Sequence, residues 1–477
     1  MKKQILFLFG IAAAAFATRA EVVTYPAPAE ARLNGSFGVQ VRAEGDSVWR
    51  PVDVYNVMVD QVTGSSHKVV NSSMTYFDFD GAVEVKVTPR GRDIHSVSVR
   101  PTSYGIPYTV EADTAIVLKL DRPRKLSVEV NGDIFDNLQL FANGIDADAP
   151  TPRALKKLRK NKDYIYFGPG YHRFDTLQVR SGQHVHIAGG AVVDGVIEVS
   201  DARDVRITGH GMVYPHRKMG LRVQRSANVS ISGPFTTQCA VGQSDSVTVD
   251  NVKLMSYYGW GDGFNVFASN NISYNDCFAR TSDDCTTIYA TRKNYQGGCR
   301  NIRFENMVLW ADVAHPVMIG LHSETERCET IENALYRNID VLDMKEKQID
   351  YQGVFGICCG DDITVRDIRF EDIRVENFRQ GRLFDIRICY NRKYCTAPGM
   401  AIENIYFKNI EYNGDNSELS MIIGYDDTRK VRGVHFENLV INGEKIHDKM
   451  PGKPGWYKTA DMARIFVGEH VENVTFE

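Results

Sequence analysis

Residues 21–140 alternate apolar and polar side chains over short runs, with turn residues between the runs. Clear examples are residues 83–87, 95–99 and 125–130, each of which alternates over several positions. The dipeptide Asn131-Gly132 follows the last of these runs and is a strong signal for a tight turn between two strands. Several short strands at regular spacing predict an antiparallel β-sandwich for this region.

A connector with prolines and a basic run occupies residues 143–163, and a sequence repeat begins after it. In each repeat a polar residue, usually Asn or Asp, precedes Val or Ile, a second polar residue and a second apolar residue. The phrase opens at His184, Asp204, Asn228, Ser246, Asn271, Asn301, Asn338, Asp367, Asn404, Gly433 and Asn473. One short strand per repeat with variable insertions predicts a parallel β-helix over residues 161–477, preceded by a sandwich domain with its connector over residues 21–160. The Asn and Asp side chains are expected to form ladders along the turns.

The first 20 residues have the pattern of a secretory signal peptide. Lys2-Lys3 supplies the positive end, residues 5–16 are apolar, and small residues up to Ala20 offer a cleavage site. No later run approaches the roughly 18 apolar residues that a membrane-spanning helix needs. The mature protein is therefore expected in the periplasm or outside the cell, without a membrane span.

Composition narrows the functional classes. The chain has 477 residues, a formal charge of −4 and 24% charged residues, which does not favour binding to nucleic acid or to an anionic membrane. All nine cysteines lie between Cys239 and Cys395, and their count and clustering favour buried thiols over a disulfide framework. Because no Cys/His spacing suggests zinc, no metal site is predicted from these residues.

Three aspartates carry the most informative chemistry. Asp262 precedes Asp283 and Asp284 by 21 and 22 residues, a spacing similar to the period of the surrounding repeat. If each repeat is one coil, residues one period apart lie on adjacent coils about 4.8 Å apart. Like charges at that distance separate their pKa values, so that one carboxyl stays protonated beside an ionised one. Such a pair is what glycoside hydrolysis requires.

The motifs resemble those of known glycoside hydrolases. Asp262-Gly263-Phe264-Asn265-Val266, then Asp283-Asp284-Cys285, then residues 314–320 with His315 resemble the core of the polygalacturonases, glycoside hydrolase family 28. The sandwich that precedes the repeat is similar to that of the dextranase and isopullulanase group, family 49. The resemblance implies a right-handed parallel β-helix and an inverting hydrolase that needs no metal or organic cofactor.

The same resemblance implies a role for each residue. Asp283 matches the general acid that protonates the leaving glycosidic oxygen, and Asp262 and Asp284 match the pair that activates the attacking water. Inversion places acid and base about 6.5–9.5 Å apart to leave room for that water. His315 matches the family 28 histidine, which would tune the proton of the acid or hydrogen-bond the sugar.

This sequence also departs from the family 28 pattern. Trp260-Gly261 replaces the Asn-Thr before Asp262, and Pro316 replaces the glycine after the histidine. The Arg-Ile-Lys phrase that clamps a uronate in polygalacturonases is missing, and Arg387-Ile388-Cys389 is the nearest phrase. A neutral α-linked polysaccharide or oligosaccharide is therefore expected as the substrate in preference to a polyuronate.

Further residues are candidates for substrate binding. Trp260 and Trp310 are predicted sugar platforms, because aromatic faces pack on apolar sugar faces. The remaining candidates are polar residues downstream: His322, Glu324, Arg292, Lys293 and Arg387. Tyr257, Tyr258 and Tyr289 are instead expected to fill the interior. Two other pairs, Asp361-Asp362 and Asp426-Asp427, are expected to be turn residues.

Two rival functions remain open. A calcium-dependent polysaccharide lyase would use the aspartates as calcium ligands and Arg280, Arg292 or Lys293 as the base. A non-catalytic β-helix would bind a glycan without cleaving it. An ultraviolet-absorbing product that disappears with a chelator indicates the lyase, and glycan retention without any hydrolysis indicates the binding protein.

Overall fold

A computed structural model describes residues 20–64, 66–214 and 219–477. The predicted signal peptide, except for Ala20, lies outside these residues. Strands account for 57% and helices for 3%, and antiparallel sheets precede one long parallel sheet. The predicted all-β class, a sandwich followed by a parallel β-helix, is therefore confirmed.

Two sheets form the amino-terminal sandwich. The first contains Glu21–Val23, Tyr55–Thr63, Ser66–Asp80, Val97–Arg100, Arg124–Val130 and Asp133–Gly144. The second contains Phe37–Ala43, Arg50–Val52, Val83–Pro89, Tyr108–Glu111 and Ala115–Leu120. The apolar residues of the alternating runs face each other between the sheets, where for example Val41, Val85 and Leu118 are fully buried. One pairing departs from the prediction, because Asp133–Gly144 runs parallel to Ser66–Asp80.

Helices are short and few in the described part of the chain. They comprise the 3-10 helix Thr102–Tyr104 and the α-helices Pro152–Leu158 and Thr459–Met462. The second lies in the predicted connector, where the Thr151 side chain caps it by accepting a hydrogen bond from the Ala154 amide. None of the helices seen in these ranges has the length and apolar character to cross a membrane.

The β-helix begins at Tyr164 and ends at Phe476. Its sheet contains Tyr164–Phe167, Gly170–Val179, His184–Ile187, Ala191–Ser200, Arg203–Thr208, Met212–Val213, Leu221–Gln224, Ala227–Ser232, Phe235–Thr236, Cys239–Gly242, Asp245–Asp250, Lys253–Met255, Phe264–Phe267, Asn270–Asn275, Phe278–Thr281, Thr286–Tyr289, Cys299–Ala311, Val317–Gly320, Thr330–Asp343, Phe355–Cys359, Thr364–Val375, Phe384–Ile388, Ala401–Tyr412, Ser420–Ile423, Val431–Ile441, Glu444–Ile446, Ile465–Val467 and Val471–Phe476. A separate short pair joins Gly381–Arg382 to Ser417–Glu418.

One face of the β-helix, here called the groove sheet, carries the candidate site. It consists of Leu221–Gln224, Cys239–Gly242, Phe264–Phe267, Thr286–Tyr289, Val317–Gly320, Phe355–Cys359, Phe384–Ile388, Ser420–Ile423 and Ile465–Val467, each paired in parallel with the next. Because the pairing is in register, residues at one position of successive strands form a row along the axis.

Asparagine ladders hold the bends of the coils. Asn271, Asn301 and Asn333 have positive φ, which Asn tolerates better than most residues. The side-chain amide of Asn301 donates to Asn271 at 2.8 Å, and that of Asn333 donates to Asn301 at 2.6 Å. The sequence repeat aligns Asn338 with Asn301, and this detail is wrong. Asn338 belongs to a second ladder and donates to Asn306 at 2.7 Å, because the long strands of the later coils contain two such bends.

The core of the β-helix is a column of apolar side chains. Phe304 stacks on Tyr274 at 4.8 Å and on Tyr336 at 4.7 Å between ring centroids, close to the spacing of the coils. All nine cysteines are free thiols, and all but Cys328 are buried. The predicted preference for thiols over disulfides agrees with this arrangement, except that Cys328 is exposed.

The sandwich packs on a second face of the β-helix through a buried, charged interface. Arg280 of the β-helix donates to Asp312 at 2.7 Å and reaches into the sandwich, to the Asn137 side chain at 3.0 Å and the Ile134 carbonyl at 2.8 Å. The Trp310 ring lies 4.2 Å from the Arg280 guanidinium. The interface therefore combines apolar packing with ion pairs whose charges are matched.

Candidate active site

Three predicted site residues occupy one position on three successive coils. Phe264, Thr286 and Val317 are register partners at the starts of adjacent groove-sheet strands. Asp262, Asp284 and His315 each lie two residues before these partners, so they form a row along the axis with a spacing of about 4.8 Å per coil. Asp283 precedes Asp284 in the same bend.

Backbone hydrogen bonds between coils fix this row. The Gly263 amide donates to the Asp284 carbonyl at 2.8 Å, and the Cys285 amide donates to the His315 carbonyl at 2.7 Å. Gly263 is required here, because a Cβ at this position would lie 2.5 Å from the Cys285 carbonyl oxygen. A Cβ on Gly261 would similarly lie 2.2 Å from the Ser282 hydroxyl. The glycines on both sides of Asp262 therefore permit the close approach of two coils.

Asp284 is held as a hydrogen-bond acceptor. Its Oδ2 accepts from the Tyr289 hydroxyl at 2.9 Å, while its Oδ1 lies 2.7 Å from His315 Nδ1 and 3.2 Å from the His315 amide nitrogen. Each of these partners donates a hydrogen bond, which favours the ionised carboxylate. Asp284 is buried, so its negative charge is the fixed charge at the centre of the row.

His315 lies between two acceptors. Its Nδ1 faces the Asp284 carboxylate and its Nε2 lies 3.2 Å from the Tyr351 carbonyl oxygen. Both ring nitrogens can donate only when the imidazole is positively charged. Burial opposes that charge, but the Asp284 carboxylate outweighs it and raises the pKa of His315 above its ordinary value. His315 therefore neutralises and orients Asp284.

Asp262 and Asp283 have no such compensation. Burial and the nearby Asp284 charge raise the pKa of Asp262 to about 7, although its Oδ2 accepts from the Asn265 amide at 2.8 Å. Burial, followed by the charges of Asp262 and Asp284, raises the pKa of Asp283 well above its ordinary value. The site thus combines a carboxylate that accepts hydrogen bonds from the Tyr289 hydroxyl and His315, a carboxyl with a pKa of about 7 and a carboxyl whose pKa is raised well above its ordinary value.

These residues line a pocket of about 520 Å³ on the groove sheet. The pocket reaches Arg222 and Met219 toward the amino-terminal coils, and Gln348 and Tyr394 toward the carboxyl-terminal coils. Asp262, Asp283 and Asp284 all contribute to its lining. His315 does not, because it lies behind Asp284 and is fully buried. The resemblance predicts that His315 tunes the proton of the acid or hydrogen-bonds the sugar, whereas in this geometry it acts through its contact with Asp284.

Four further predicted residues line the pocket: Trp260, Arg292, Lys293 and His322. Trp260 is 84% exposed at φ +57°, a conformation that is costly for a bulky residue. Arg292 lies over the Tyr289 ring at 4.8 Å. Burial lowers the pKa of His322 to about 3, so this ring is neutral beside the pocket.

Besides His315, three predicted substrate-binding residues are not part of the pocket lining. Trp310 is fully buried between the β-helix and the sandwich, so the prediction of a sugar platform is wrong for this residue. Arg387 donates to both oxygens of Asp385, at 2.6 and 2.5 Å, which leaves its charge paired below the pocket wall. Glu324 is exposed outside the pocket lining. Their positions along the repeat did not reveal which way these side chains point.

The structure also places the residues of the rival functions and the two other Asp-Asp pairs. Arg280, proposed as the base of a lyase, is fully buried and paired with Asp312 at the sandwich interface. Asp361 accepts from the Thr396 amide at 2.6 Å, and Asp426 accepts from the Thr428 amide at 2.9 Å. Asp426 therefore caps a local turn, as the sequence predicts, whereas Asp361 lies in a turn and its side chain holds a loop 35 residues further along the chain. Among the residues that the structure describes, no group of three or more His, Cys, Asp or Glu side chains is arranged to hold a metal ion.

Several pocket residues were missed or misjudged. Tyr289 was expected in the interior, whereas it points outward and donates to Asp284. Glu346 is buried in the pocket wall, and its position in a long insertion gave no signal. Asn265 could have been found, since it stands three residues after Asp262 in the same motif, and its side-chain amide donates to Asp262. The side-chain oxygen Oδ1 of Asn265 accepts from the Thr287 hydroxyl at 2.7 Å, which orients the side-chain amide nitrogen toward Asp262.

Comparisons with known proteins agree with this arrangement. Residues 220–454, which contain the aspartates and His315, match the family model described as glycosyl hydrolases family 28. No curated protein sequence matches the chain.

Two solved structures are similar in fold. Dex49A from Penicillium minioluteum is 13% identical with a TM-score of 0.62, and the match covers 95% of this chain and 96% of that one. The family 28 exopolygalacturonase of Yersinia enterocolitica is 12% identical with a TM-score of 0.50, covering 83% and 96%. The predicted resemblance to families 28 and 49 is thereby confirmed, for family 49 at the level of the fold.

Proposed function

Because the chain carries a glycosyl hydrolase family 28 domain and is a glycoside hydrolase, we propose that it hydrolyses a neutral, α-linked polysaccharide or oligosaccharide with inversion. The observation that carries this proposal is the row of Asp262, Asp284 and His315 with Asp283 beside it in one pocket. This arrangement supplies an acid and a base to one bound sugar.

Asp283 is the proposed general acid. Burial and the neighbouring carboxylates of Asp262 and Asp284 raise its pKa well above the ordinary value, which favours the protonated form that an acid needs. In the reaction this proton moves to the glycosidic oxygen as the bond to the anomeric carbon breaks. The leaving group departs as a neutral alcohol, which lowers the barrier.

Asp262 and Asp284 are proposed to hold and deprotonate the attacking water. A base is most effective when its pKa lies near the working pH, and Asp262 meets this condition with a pKa of about 7. Asp284 accepts hydrogen bonds from the Tyr289 hydroxyl and from the His315 ring and amide, and its carboxylate stabilises positive charge that develops at the anomeric carbon. The oxygen of water bonds to that carbon from the face opposite the leaving group, which inverts its configuration.

The charge of the pocket supports a neutral substrate. Four carboxyl groups line it, those of Asp262, Asp283, Asp284 and Glu346. Of the lining cations, Arg222 donates to Glu198 at 2.8 Å and is neutralised by it. Among the lining cations this leaves Arg292 and Lys293 to bind a uronate carboxylate, and Arg387, the nearest counterpart of the uronate clamp, is paired with Asp385 outside the lining.

Export is part of the proposal. Residues 1–20 have the signal-peptide pattern, and a secreted or periplasmic enzyme meets polysaccharides outside the cytoplasm. Fractionation of the producing cells tests this: the mature chain should start near Glu21 and be found outside the cytoplasm. A full-length chain in the cytoplasm would contradict it.

The function is tested with a panel of dextran, pullulan, pectic and algal polysaccharides. We expect reducing sugar from a neutral α-glycan, with the β-anomer formed first as followed by NMR. Asp283→Asn should lower kcat by about 10²–10⁴-fold and leave KM and the melting temperature nearly unchanged. The matched control is Asp427→Asn, in another Asp-Asp pair whose side chain is 95% exposed.

The outcomes separate the rivals. Near wild-type turnover in Asp283→Asn would contradict the acid assignment. An unsaturated product that absorbs in the ultraviolet would indicate a lyase, and retention of a glycan without any cleavage would indicate a binding protein.

A further inference from the structure

The outward-facing row of side chains on the groove sheet lines the pocket at the catalytic coils but is covered by other parts of the chain just beyond them. In register order this row contains Asn265, Thr287, Met318, Gly356 and Asp385. Asn265 lines the pocket, whereas Met318 and Asp385 do not, because Tyr351 packs with Met318 and the Gln352 amide donates to Asp385. The sheet itself continues, so the groove is ended by something packed on it.

Two insertions cover the sheet at this point. One lies between Asp343 and Phe355, and the other follows Ile388 and contains Tyr394. Tyr351 of the first insertion packs on Tyr394 of the second, with ring centroids 4.9 Å apart. Gln348 joins them further, because its side-chain oxygen accepts from the Tyr394 hydroxyl at 3.2 Å. Together Glu346, Gln348, Tyr351 and Tyr394 form what we call the end wall of the pocket.

The end wall is backed by packed side chains. Tyr351 belongs to a buried cluster with Met318, Cys358, Cys389 and Cys395, which fills the space between the wall and the sheet. Cys395 also donates through its thiol to the Leu321 carbonyl at 3.2 Å. Within the described residues, the pocket lining contains no residue from the sheet strands that lie behind this cluster.

The first insertion is also anchored at its base. The Gln352 amide donates to Asp385 at 2.9 Å, while Arg382 and Arg387 donate to the Ile349 carbonyl at 2.9 and 3.1 Å. From the sandwich side, the Gly64 carbonyl accepts from the Lys347 ammonium at 3.1 Å. These contacts hold the wall in place without any ligand, and they explain the paired state of Arg387.

The wall stands close to the catalytic row. Tyr351 touches His315, with its carbonyl oxygen 3.2 Å from His315 Nε2 and its ring 4.5 Å from the imidazole. His315 lies only one coil, or about 4.8 Å, beyond Asp284. One coil is comparable with the length of one sugar ring along a chain. A glycan cleaved at Asp283 therefore has space for about one ring between the scissile bond and the wall.

We propose that the enzyme acts on the free end of a glycan chain and releases one sugar per cleavage, because the end wall blocks any longer extension past the catalytic aspartates. The remainder of the chain lies toward Arg222 and Met219, where the pocket extends over two further coils. This inference rests on the proposed hydrolase function and adds the form of its substrate, a chain terminus.

Product analysis of the wild-type enzyme on the polymer identified in the panel tests this directly. We expect monosaccharide as the only early product, with the viscosity of the polymer falling slowly relative to the reducing sugar released. An oligosaccharide tagged with a fluorophore at its reducing end should lose sugars one at a time, and the fate of the tag identifies which end is attacked. A ladder of oligosaccharides at the earliest times would overturn chain-end action while leaving hydrolysis established. If no glycan is cleaved, the proposed function itself fails.

A variant of the wall adds a second test. Tyr394→Ala should open the wall and allow disaccharide or longer products to appear, whereas Tyr394→Phe keeps the ring and should keep the monosaccharide pattern. Tyr425→Ala is the matched control, since this tyrosine is 44% exposed and lies outside the pocket. If Tyr394→Ala is folded by circular dichroism and still releases only monosaccharide, the wall does not set the product length. If it does not fold, the wild-type product pattern alone decides.

Discussion

The pocket and the sandwich interface are both buried, charged regions on the β-helix, and they differ in how the charges are matched. At the interface Asp312 faces the Arg280 guanidinium, and Asp343 faces Arg379 at 2.5 Å. In the pocket, Asp262 and Asp283 form no ion pair within the part of the chain that is described. Aspartate therefore forms ion pairs with arginine at the interface and provides unpaired carboxyl groups in the pocket.

The difference shows why charged clusters have to be interpreted from their partners. A matched pair in a buried site stabilises the position of two elements, and removal of one member leaves an isolated charge. A buried carboxyl without an ion-pair partner instead has a raised pKa, as burial and the charges of Asp262 and Asp284 produce for Asp283. The interface fixes the two domains, and the pocket holds protons available for transfer.

Breaking the matched region should have the largest effect on stability. Asp312→Asn leaves the Arg280 charge buried without its carboxylate, so we expect the free energy of unfolding to fall by about 3–5 kcal/mol. The kcat of the protein that remains folded should be almost unchanged, because Asp312 is not part of the pocket lining. Denaturant titration and kinetics at low temperature measure the two quantities. A loss of kcat without a loss of stability would place Asp312 in the catalytic machinery.

Replacement of an unpaired carboxyl of the pocket should instead raise the stability of the protein, by an amount that depends on pH. The pKa of Asp262 rises from 3.8 to about 7 on folding, so its contribution to stability is full below about pH 3.8 and is lost as the pH rises through 7. Asp262→Asn removes this loss, and the variant should gain stability relative to wild type between pH 4 and pH 8. Thermal unfolding at the two pH values measures it. If the stability difference stays constant with pH, the pKa of Asp262 does not change on folding and the unmatched description fails.

The rim of the pocket should give the smallest effect. Trp260→Ala removes one exposed aromatic face and should raise KM by an amount equivalent to about 0.5–1.5 kcal/mol, with little change in stability. Trp456→Ala is a matched control, because both tryptophans are 84% exposed and only Trp260 lines the pocket. Equal KM values for the two variants would show that Trp260 does not contact the substrate.

Local patterns in the sequence predicted much of this molecule. The alternating runs predicted the sandwich, and the Asn-headed repeat predicted the parallel coils, because each coil needs an apolar strand and a residue that tolerates positive φ at its bend. The 22-residue spacing of Asp262 and Asp284 matched the coil period, so their adjacency followed from the repeat.

Other features depended on contacts that the repeat does not encode. The sequence does not distinguish Trp310 from Trp260. Trp310 packs against Arg280 between the domains, whereas Trp260 is exposed at the pocket. Tyr289 was expected inside because aromatic stacks fill β-helix interiors, and its four-residue strand is too short for alternation to show the direction of its side chain. The end wall comes from two insertions of irregular length that meet only in the folded protein.

The sequence by itself determined the architecture and the order of the carboxyl groups, because both arise from periodic, local preferences of the backbone. Only the tertiary structure decided which charges are neutralised and where the groove ends. Those properties arise from residues far apart in the chain, such as Arg280 with Asn137 and Tyr351 with His315, which the fold brings into contact. The pKa shifts and the length of the pocket follow from these contacts.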